Sequence, residues 1–228
     1  MRTTTRQAGF TLVEIAIVLV IIGLLLGGIL KGQEMITQAR IKNVINDFNG
    51  ITAAYASYQD RYRAIPGDDA TAAARWVGPP VAVAGNGDGQ ILGAYNATLA
   101  APPTPAATEE SNLFWWHLRL SGFIPGPTSG AAFANQPTNA VGGMIGVQSA
   151  GAAAPSLPTM GMSGLVVCTA NIADKMAIAV DTQTDDQNSA TGSLRAILQT
   201  NPNQPTVAAP AATYQETGAN QYVLCRSL

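Results

Sequence analysis

Charged side chains are scarce in this sequence. Only 11% of its 228 residues are Asp, Glu, Lys or Arg, and the formal net charge is −2. Proteins that bind nucleic acid concentrate Lys and Arg on one surface, and no specific nucleic-acid site is readable in this composition. Residues 121–173 contain no charged side chain at all. This stretch predicts either long polar loops or a surface that other polypeptide chains cover.

Histidine and cysteine are equally scarce. His117 is the single histidine, and Cys168 and Cys225 are the only cysteines. A lone histidine does not make a zinc site, and no nucleophile, base and orienting group come together in a recognisable pattern. No glycine-rich phosphate loop precedes a helix. We therefore interpret His117 as a structural or surface residue and expect that the chain is not an enzyme.

One long apolar run is present near the N-terminus. Residues 10–30, FTLVEIAIVLVIIGLLLGGIL, contain a single charged side chain, Glu14. A helix of this length spans a bilayer core of about 30 Å. A carboxylate within such a helix costs about 2.5–3.5 kcal/mol, so Glu14 is a candidate functional residue. Arg2 and Arg6 in residues 1–9 predict that the N-terminus stays in the cytoplasm.

The small residue Gly9 precedes the apolar run, whereas an ordinary secretory signal has its small residues after the run. The string GFTLVEI, from Gly9 to Ile15, resembles the class III signal peptides of type IV pilins and of type II secretion pseudopilins. This resemblance implies that a prepilin peptidase cuts between Gly9 and Phe10 and that the new amine of Phe10 is methylated. It also implies that Glu14 pairs with the amine of a neighbouring subunit during assembly. A plain membrane anchor with a chance glutamate is the alternative.

The helical pattern continues beyond the apolar run. Apolar and aromatic residues recur there every three or four positions, which predicts an amphipathic helix that buries one face: Ile41, Val44, Phe48, Ile51, Tyr55, Tyr58 and Tyr62. Pro66 and Gly67 should end it. The tyrosines are predicted to pack in a core, the alternative being a row that stacks on a ligand. The predicted organisation is a leader (1–9), a transmembrane and assembly helix (10–30), its amphipathic continuation (31–65) and a globular head (66–228).

The rest of the chain predicts an α+β fold of type IV pilin kind, in which the long N-terminal helix packs on an antiparallel sheet. Apolar and β-branched runs predict strands at residues 164–168, 175–181, 193–199 and 222–225. Residues 110–120, ESNLFWWHLRL, predict a helix capped by Ser111 or Asn112. Its apolar residues should anchor the head core: Phe114, Trp115, Trp116 and Leu118.

Cys168 and Cys225 are predicted to form a disulfide, because the head would lie outside the cytoplasm, where disulfides persist. The bridge would close a loop that contributes about 4 kcal/mol in the chain-entropy model. It resembles the disulfide-bounded region of type IV pilins, which most pseudopilins lack. Two separate buried thiols are the alternative.

Residues 85–91, GNGDGQI, resemble the middle of a calcium-binding loop, with Asn86 and Asp88 as ligands and Gly89 at the turn. Ala84 and Tyr95 stand where that pattern requires acids, and N-G-D-G is also a common turn. Further carboxylates could contribute from elsewhere: Asp68, Asp69, Asp185 and Asp186. No cofactor is therefore expected, with calcium at Asn86 and Asp88 as the alternative.

The resemblance predicts a structural subunit of a type IV pilus, major or minor. It would polymerise through its N-terminal helix into a filament that serves adhesion, twitching motility or DNA uptake. The implied partners are copies of itself, other pilins, the prepilin peptidase, the inner-membrane assembly platform and membrane lipid. The implied location is the inner membrane before assembly and the extracellular filament afterwards. A type II secretion pseudopilin is the alternative.

Overall fold

The computed structural model of the chain describes residues 11–78, 81–97, 109–129, 135–150, 160–205 and 213–228. The chain divides into two compact units, Met1–Ala39 and Arg40–Leu228. The first helix, α1 (Leu12–Tyr62), begins in the first unit and ends in the second. Gly9 and Phe10 lie outside the described residues.

The two parts of α1 differ in burial. Every residue from Thr11 to Ala39 is exposed, except Gly32, which is half-buried. Beyond Arg40 a stripe at helical spacing is buried, which includes most of the predicted residues and Ala54: Ile41, Val44, Phe48, Ile51, Ala54 and Tyr58. Tyr55 and Tyr62, which were also predicted to be buried, are half-buried. The helix ends at Tyr62 because Arg63 adopts the left-handed conformation, with φ 55°.

The head contains one antiparallel sheet of five strands. The strands are β1 (Ile145–Ala150), β2 (Gly164–Ala173), β3 (Leu194–Asn201), β4 (Gln204–Pro205) and β5 (Gln221–Ser227). Their order in the sheet is β1-β2-β5-β3-β4, so the last strand of the chain occupies the centre. The predicted α+β class with an antiparallel sheet is confirmed.

Both faces of the sheet are buried. Alternate residues of the central strands, such as Val167 and Leu224, share the main core with the buried stripe of α1. Their sequence neighbours Cys168 and Val223 face a second, smaller core on the other side, together with Tyr95. This alternation follows from the pleat, which directs successive side chains to opposite faces.

Three shorter helices complete the described part of the head: α2 (Ala72–Arg75), α3 (Glu110–Leu120) and α4 (Asp174–Thr184). The helix predicted at residues 110–120 is confirmed, and its four predicted anchors are at most 1% exposed. The predicted cap is wrong, because the residue before α3 is Glu109 and no side chain caps the helix there. Ser111 and Asn112 lie inside the helix instead.

The strand predicted at residues 175–181 is wrong, since these residues form α4. Its buried residues are spaced as on one helical face: Asp174, Met176, Ala177, Val180 and Asp181. The Asp174 carboxylate accepts a hydrogen bond from the backbone N–H of Lys175 (2.7 Å), at the helix start. It also accepts the N–H groups of Thr217 (2.8 Å) and Gly218 (2.6 Å), which tie α4 to the loop before β5.

Candidate functional site: the helix start and the head

The start of α1 is closed by a reciprocal pair of side chains. The backbone N–H and the hydroxyl of Thr11 both donate to Glu14 Oε2, each at 2.8 Å. The backbone N–H of Glu14 donates in return to Thr11 Oγ1 at 3.3 Å. This is a capping box, in which the first helical N–H groups find partners without water. Within the described residues, Glu14 Oε1 has no hydrogen-bond partner, so one carboxylate oxygen remains for an external donor.

The apolar segment of α1 exposes its side chains on all sides. Leu12 is 88% exposed and Leu24 is 73% exposed, and other large apolar residues between them are at least 46% exposed. By length and composition, α1 is long and apolar enough to cross a membrane. Such exposure is unfavourable in water, so this surface requires lipid or other apolar helices around it.

Of the predicted row of tyrosines, Tyr58 lies in the head core, and Tyr55 and Tyr62 are half-buried and pack against that core. The Tyr58 hydroxyl donates to Asp69 Oδ2 at 2.7 Å, and Arg75 forms an ion pair with the same carboxylate. Burial alone would raise the pKa of Asp69, but the hydrogen bonds from Arg75, Tyr58 and Thr71 outweigh it and lower the pKa to about 2. Asp69 therefore links the end of α1 to α2 and is charged at neutral pH.

His117 is fully buried. Of the two predicted alternatives, a structural or a surface residue, the structural one is confirmed. Its Nδ1 accepts the backbone N–H of Gly67 at 2.9 Å, and its Nε2 lies 2.8 Å from the carbonyl oxygen of Val83. These two contacts require a neutral ring with the proton on Nε2. Burial lowers the pKa of His117 to about 4, so the ring stays neutral at ordinary pH.

The candidate metal loop wraps around carboxylates from two other parts of the chain. Asp68 accepts backbone N–H groups from Gly87 (2.6 Å), Asp88 (3.1 Å) and Gly89 (2.8 Å). Glu110, at the start of α3, accepts two more, from Asn86 and Leu92, each at 2.9 Å. One oxygen from each of Asp68, Asp88 and Glu110 lies within 4.8 Å of the other two.

These three carboxylates are the strongest candidates for a divalent-cation site in the described part of the chain. Burial and the nearby carboxylates of Asp68 and Asp88 raise the pKa of Glu110, although the N–H donors of Leu92 and Asn86 lower it. Calcium prefers several oxygen ligands with free lone pairs. Asp68 and Glu110 already accept five backbone N–H groups, so an ion at this position would share their oxygens with the loop backbone. Calcium at Asn86 and Asp88 stays a prediction that a chelator can test.

The other predicted carboxylates lie elsewhere. Asp69 forms an ion pair with Arg75 and is not a member of the group that contains Asp88. Asp185 and Asp186 group with Asp181 at the end of α4.

The predicted disulfide is present. Cys168 in β2 and Cys225 in β5 are directly opposite each other, with Cα atoms 4.0 Å apart and a sequence separation of 57 residues. Both cysteines are at most 1% exposed. The bridge therefore joins the two strands at the centre of the sheet and encloses α4, β3 and β4 in one covalent loop.

The prokaryotic N-terminal methylation motif matches residues 4–30 of the chain. No curated protein and no solved structure matches the chain significantly. The motif covers the residues whose pattern resembles a class III signal peptide, and the fold has the long helix and antiparallel sheet expected of a pilin. The motif and the fold together support a type IV pilin-like prepilin. This class implies processing by a prepilin peptidase, membrane anchoring through the apolar helix and assembly with other pilins.

Two features of the site escaped the sequence reasoning. The capping box was readable, because Thr11 and Glu14 have the T-x-x-E spacing in front of an apolar run. Glu110 was not readable as part of the site, since only the fold brings it to the Asn86–Asp88 turn. Asp68, one of the four carboxylates that the sequence offered as further contributors, does lie at this turn.

Proposed function

We propose that the mature chain is a structural subunit of a type IV pilus, anchored in the inner membrane and then polymerised through α1 into an extracellular filament. The observation that carries this proposal is the methylation motif continuing into a helix segment whose apolar side chains are all exposed. In a filament, neighbouring helices would cover this surface after it leaves the lipid. The head, closed by a buried disulfide, suits the oxidising conditions outside the cytoplasm.

Assembly would use the free oxygen of Glu14. After cleavage, the methylated amine of Phe10 carries a positive charge, and a charge of either sign is unfavourable among apolar helices. Thr11 holds Glu14 Oε2, so Oε1 can accept the amine of a neighbouring subunit without loss of the cap. Glu14→Gln should therefore be cleaved normally but assemble poorly. Glu34→Gln is the matched control, since Glu34 is exposed on α1 and pairs with Lys31 in its own chain.

A pseudopilin of a type II secretion system is the second candidate. The observation that favours it is the carboxylate cluster of Asp68, Asp88 and Glu110 in a head loop, because major pseudopilins hold calcium in such a loop. The disulfide across β2 and β5 favours the pilin, because most pseudopilins lack one. The two candidates differ in where the processed protein is found.

Intact mass spectrometry of material sheared from the cell surface tests the proposal. The expected species begins at methylated Phe10 and is lighter by the two hydrogens lost in the Cys168–Cys225 bridge. The same species confined to the cell envelope would favour the pseudopilin. A chain that still begins at Met1 in every fraction would refute both.

A further inference from the structure

Asp47 is a carboxylate on α1 that lacks a counter-ion. It is half-buried, and among the described residues it forms no hydrogen bond or ion pair. It lines a cleft of about 300 Å³ between α1, α3 and the loop after α3, together with Gly50, Ile51 and Pro125. A half-buried charge without a partner is unfavourable, so this position calls for a cation.

The cation in the same cleft does not serve Asp47. Arg119 also lines the cleft, but its Nη2 donates to the backbone carbonyl of Asn135 at 2.7 Å. No ion pair joins Arg119 to Asp47 in the residues that the structure describes. The aliphatic walls beside Asp47 suit the methylene chain of a lysine, whose ammonium group can reach the carboxylate while its stem packs on apolar surface.

Two basic side chains of the described chain have no partner of their own. Every other described lysine and arginine has an ion pair, a hydrogen bond or a ring contact: Lys31, Arg61, Arg63, Arg75, Arg119, Lys175, Arg195 and Arg226. Arg40 and Lys42 remain, and both are exposed on α1. The unpaired acid and the unpaired bases thus lie within eight residues of one helix.

Helix geometry distinguishes Lys42 from Arg40. When identical helices pack side by side in parallel, one face of each helix contacts a different, roughly opposite face of its neighbour. Lys42 is five residues before Asp47, which places it about 140° around the helix and about 7.5 Å along it. Arg40 is seven residues before Asp47, which places it about 20° around the helix, on the same face as Asp47. Only Lys42 can meet Asp47 of a neighbouring parallel copy.

We propose that Asp47 of one subunit receives Lys42 of the next subunit in the filament. The inference rests on the proposed function, because it requires copies of α1 to pack in parallel. It sets the axial displacement between these neighbours at about 7.5 Å. The proposed pairing of Glu14 with the amine of Phe10 spans four residues, about 6 Å in the same direction. The two proposed pairs thus give displacements in the same direction, about 6 Å and about 7.5 Å.

Cysteine cross-linking in filaments tests this contact. The described chain has no free cysteine, and both native cysteines are bridged, so a Lys42→Cys/Asp47→Cys variant carries the only reactive thiols. Within one chain these thiols are too far apart to bridge. After mild oxidation, non-reducing electrophoresis of sheared filaments should show a ladder of covalent multimers. Arg40→Cys/Asp47→Cys, the matched control, should remain monomeric.

The outcomes separate the two proposals. Wild-type cells without surface filaments of this chain would refute the pilus function. Filaments that form but give no ladder, or give an equal ladder with the Arg40 control, would refute the contact alone.

A second pair of variants covers failure of the cysteine variant to assemble. Lys42→Gln and Asp47→Asn should each lower the filament yield by about twofold to fivefold, and the double variant should lower it no further. The melting temperature of the unassembled chain should not fall, because neither side chain has a partner within its own chain. Additive losses of yield, or a lower melting temperature for either variant, would refute the contact.

Discussion

Acid should destabilise the head through His117. The ring is fully buried, and protonation would place an N–H at Nδ1 against the N–H of Gly67, which now donates to that atom at 2.9 Å. The pKa of His117 is about 4 in the fold, against about 6.5 in an unfolded chain. The unfolded state therefore binds a proton that the folded state does not, and stability falls as the pH falls from 6.5 towards 4.

The size of this effect follows from the difference in pKa. The difference between about 4 and 6.5 corresponds to roughly 3 kcal/mol, which is present in full above pH 6.5 and lost by pH 4. Asp69, whose pKa is lowered to about 2, behaves in the same sense in a lower window: its contribution is present above pH 3.8 and is lost as the pH falls towards 2. The contributions of His117 and Asp69 to stability are thus lost in different pH ranges and can be measured separately.

The assay is urea unfolding of the mature chain in detergent between pH 7.5 and 4.5, followed by tryptophan fluorescence. All three tryptophans lie in the head, and Trp76 is 6.0 Å from the His117 ring, so the signal reports on this region. His117→Gln is the control variant, because its amide can keep a hydrogen bond but does not titrate. Its stability should change little with pH in this range. Equal slopes in the wild type and the variant, or a flat wild-type profile, would refute the reasoning.

Three other perturbations have definite expected results. Thr11→Ala should lower the filament yield by freeing the Glu14 carboxylate, and it should destabilise the start of α1 by about 1 kcal/mol. Thr37→Ala is the control and should leave the yield unchanged, because it removes only an exposed contact to a backbone carbonyl. Equal yields from the two variants would contradict this. Replacing Cys168 and Cys225 by serine should lower the free energy of unfolding by about 4 kcal/mol in urea titrations, and an unchanged midpoint would contradict it. Adding calcium or a chelator should leave the melting temperature unchanged; a rise with calcium that Asp88→Asn abolishes would establish a metal site.

Local periodicity was sufficient for the elements whose burial is set by a single face. The stripe from Ile41 to Tyr58 repeats at helical spacing and is buried as predicted. Helix α3 is different, because it is buried on all sides and not on one face. The segment that forms α4 was ambiguous, because Met176, Ile178 and Val180 alternate like a strand while Met176, Ala177 and Val180 share a helical face. Contacts of Asp174 with Thr217 and Gly218, more than 40 residues away, are part of what distinguishes the two in the fold.

Strand β1 and the place of Glu110 in the carboxylate cluster were not predicted from the sequence, because both depend on contacts between distant parts of the chain. Residues 145–150 have weak strand character, and β1 depends on its pairing with β2 and on Gly146, where a side chain would collide with the Tyr95 carbonyl. Asp68 and Glu110 are about 20 residues from Asp88 on either side. Their meeting depends on the loop backbone wrapping around them, which no local pattern encodes.

The position of β5 at the centre of the sheet governs when the head can be completed. In a chain anchored by α1, the head crosses the membrane in sequence order, so Gln221–Ser227 crosses after the other strands, yet this strand separates β2 from β3. Until it arrives, β1 and β2 form one fragment, β3 and β4 form another, and Cys168 has no partner to oxidise with. Sheet closure and disulfide formation therefore both depend on β5, and loss of residues 221–228 removes the centre of the sheet and not its edge.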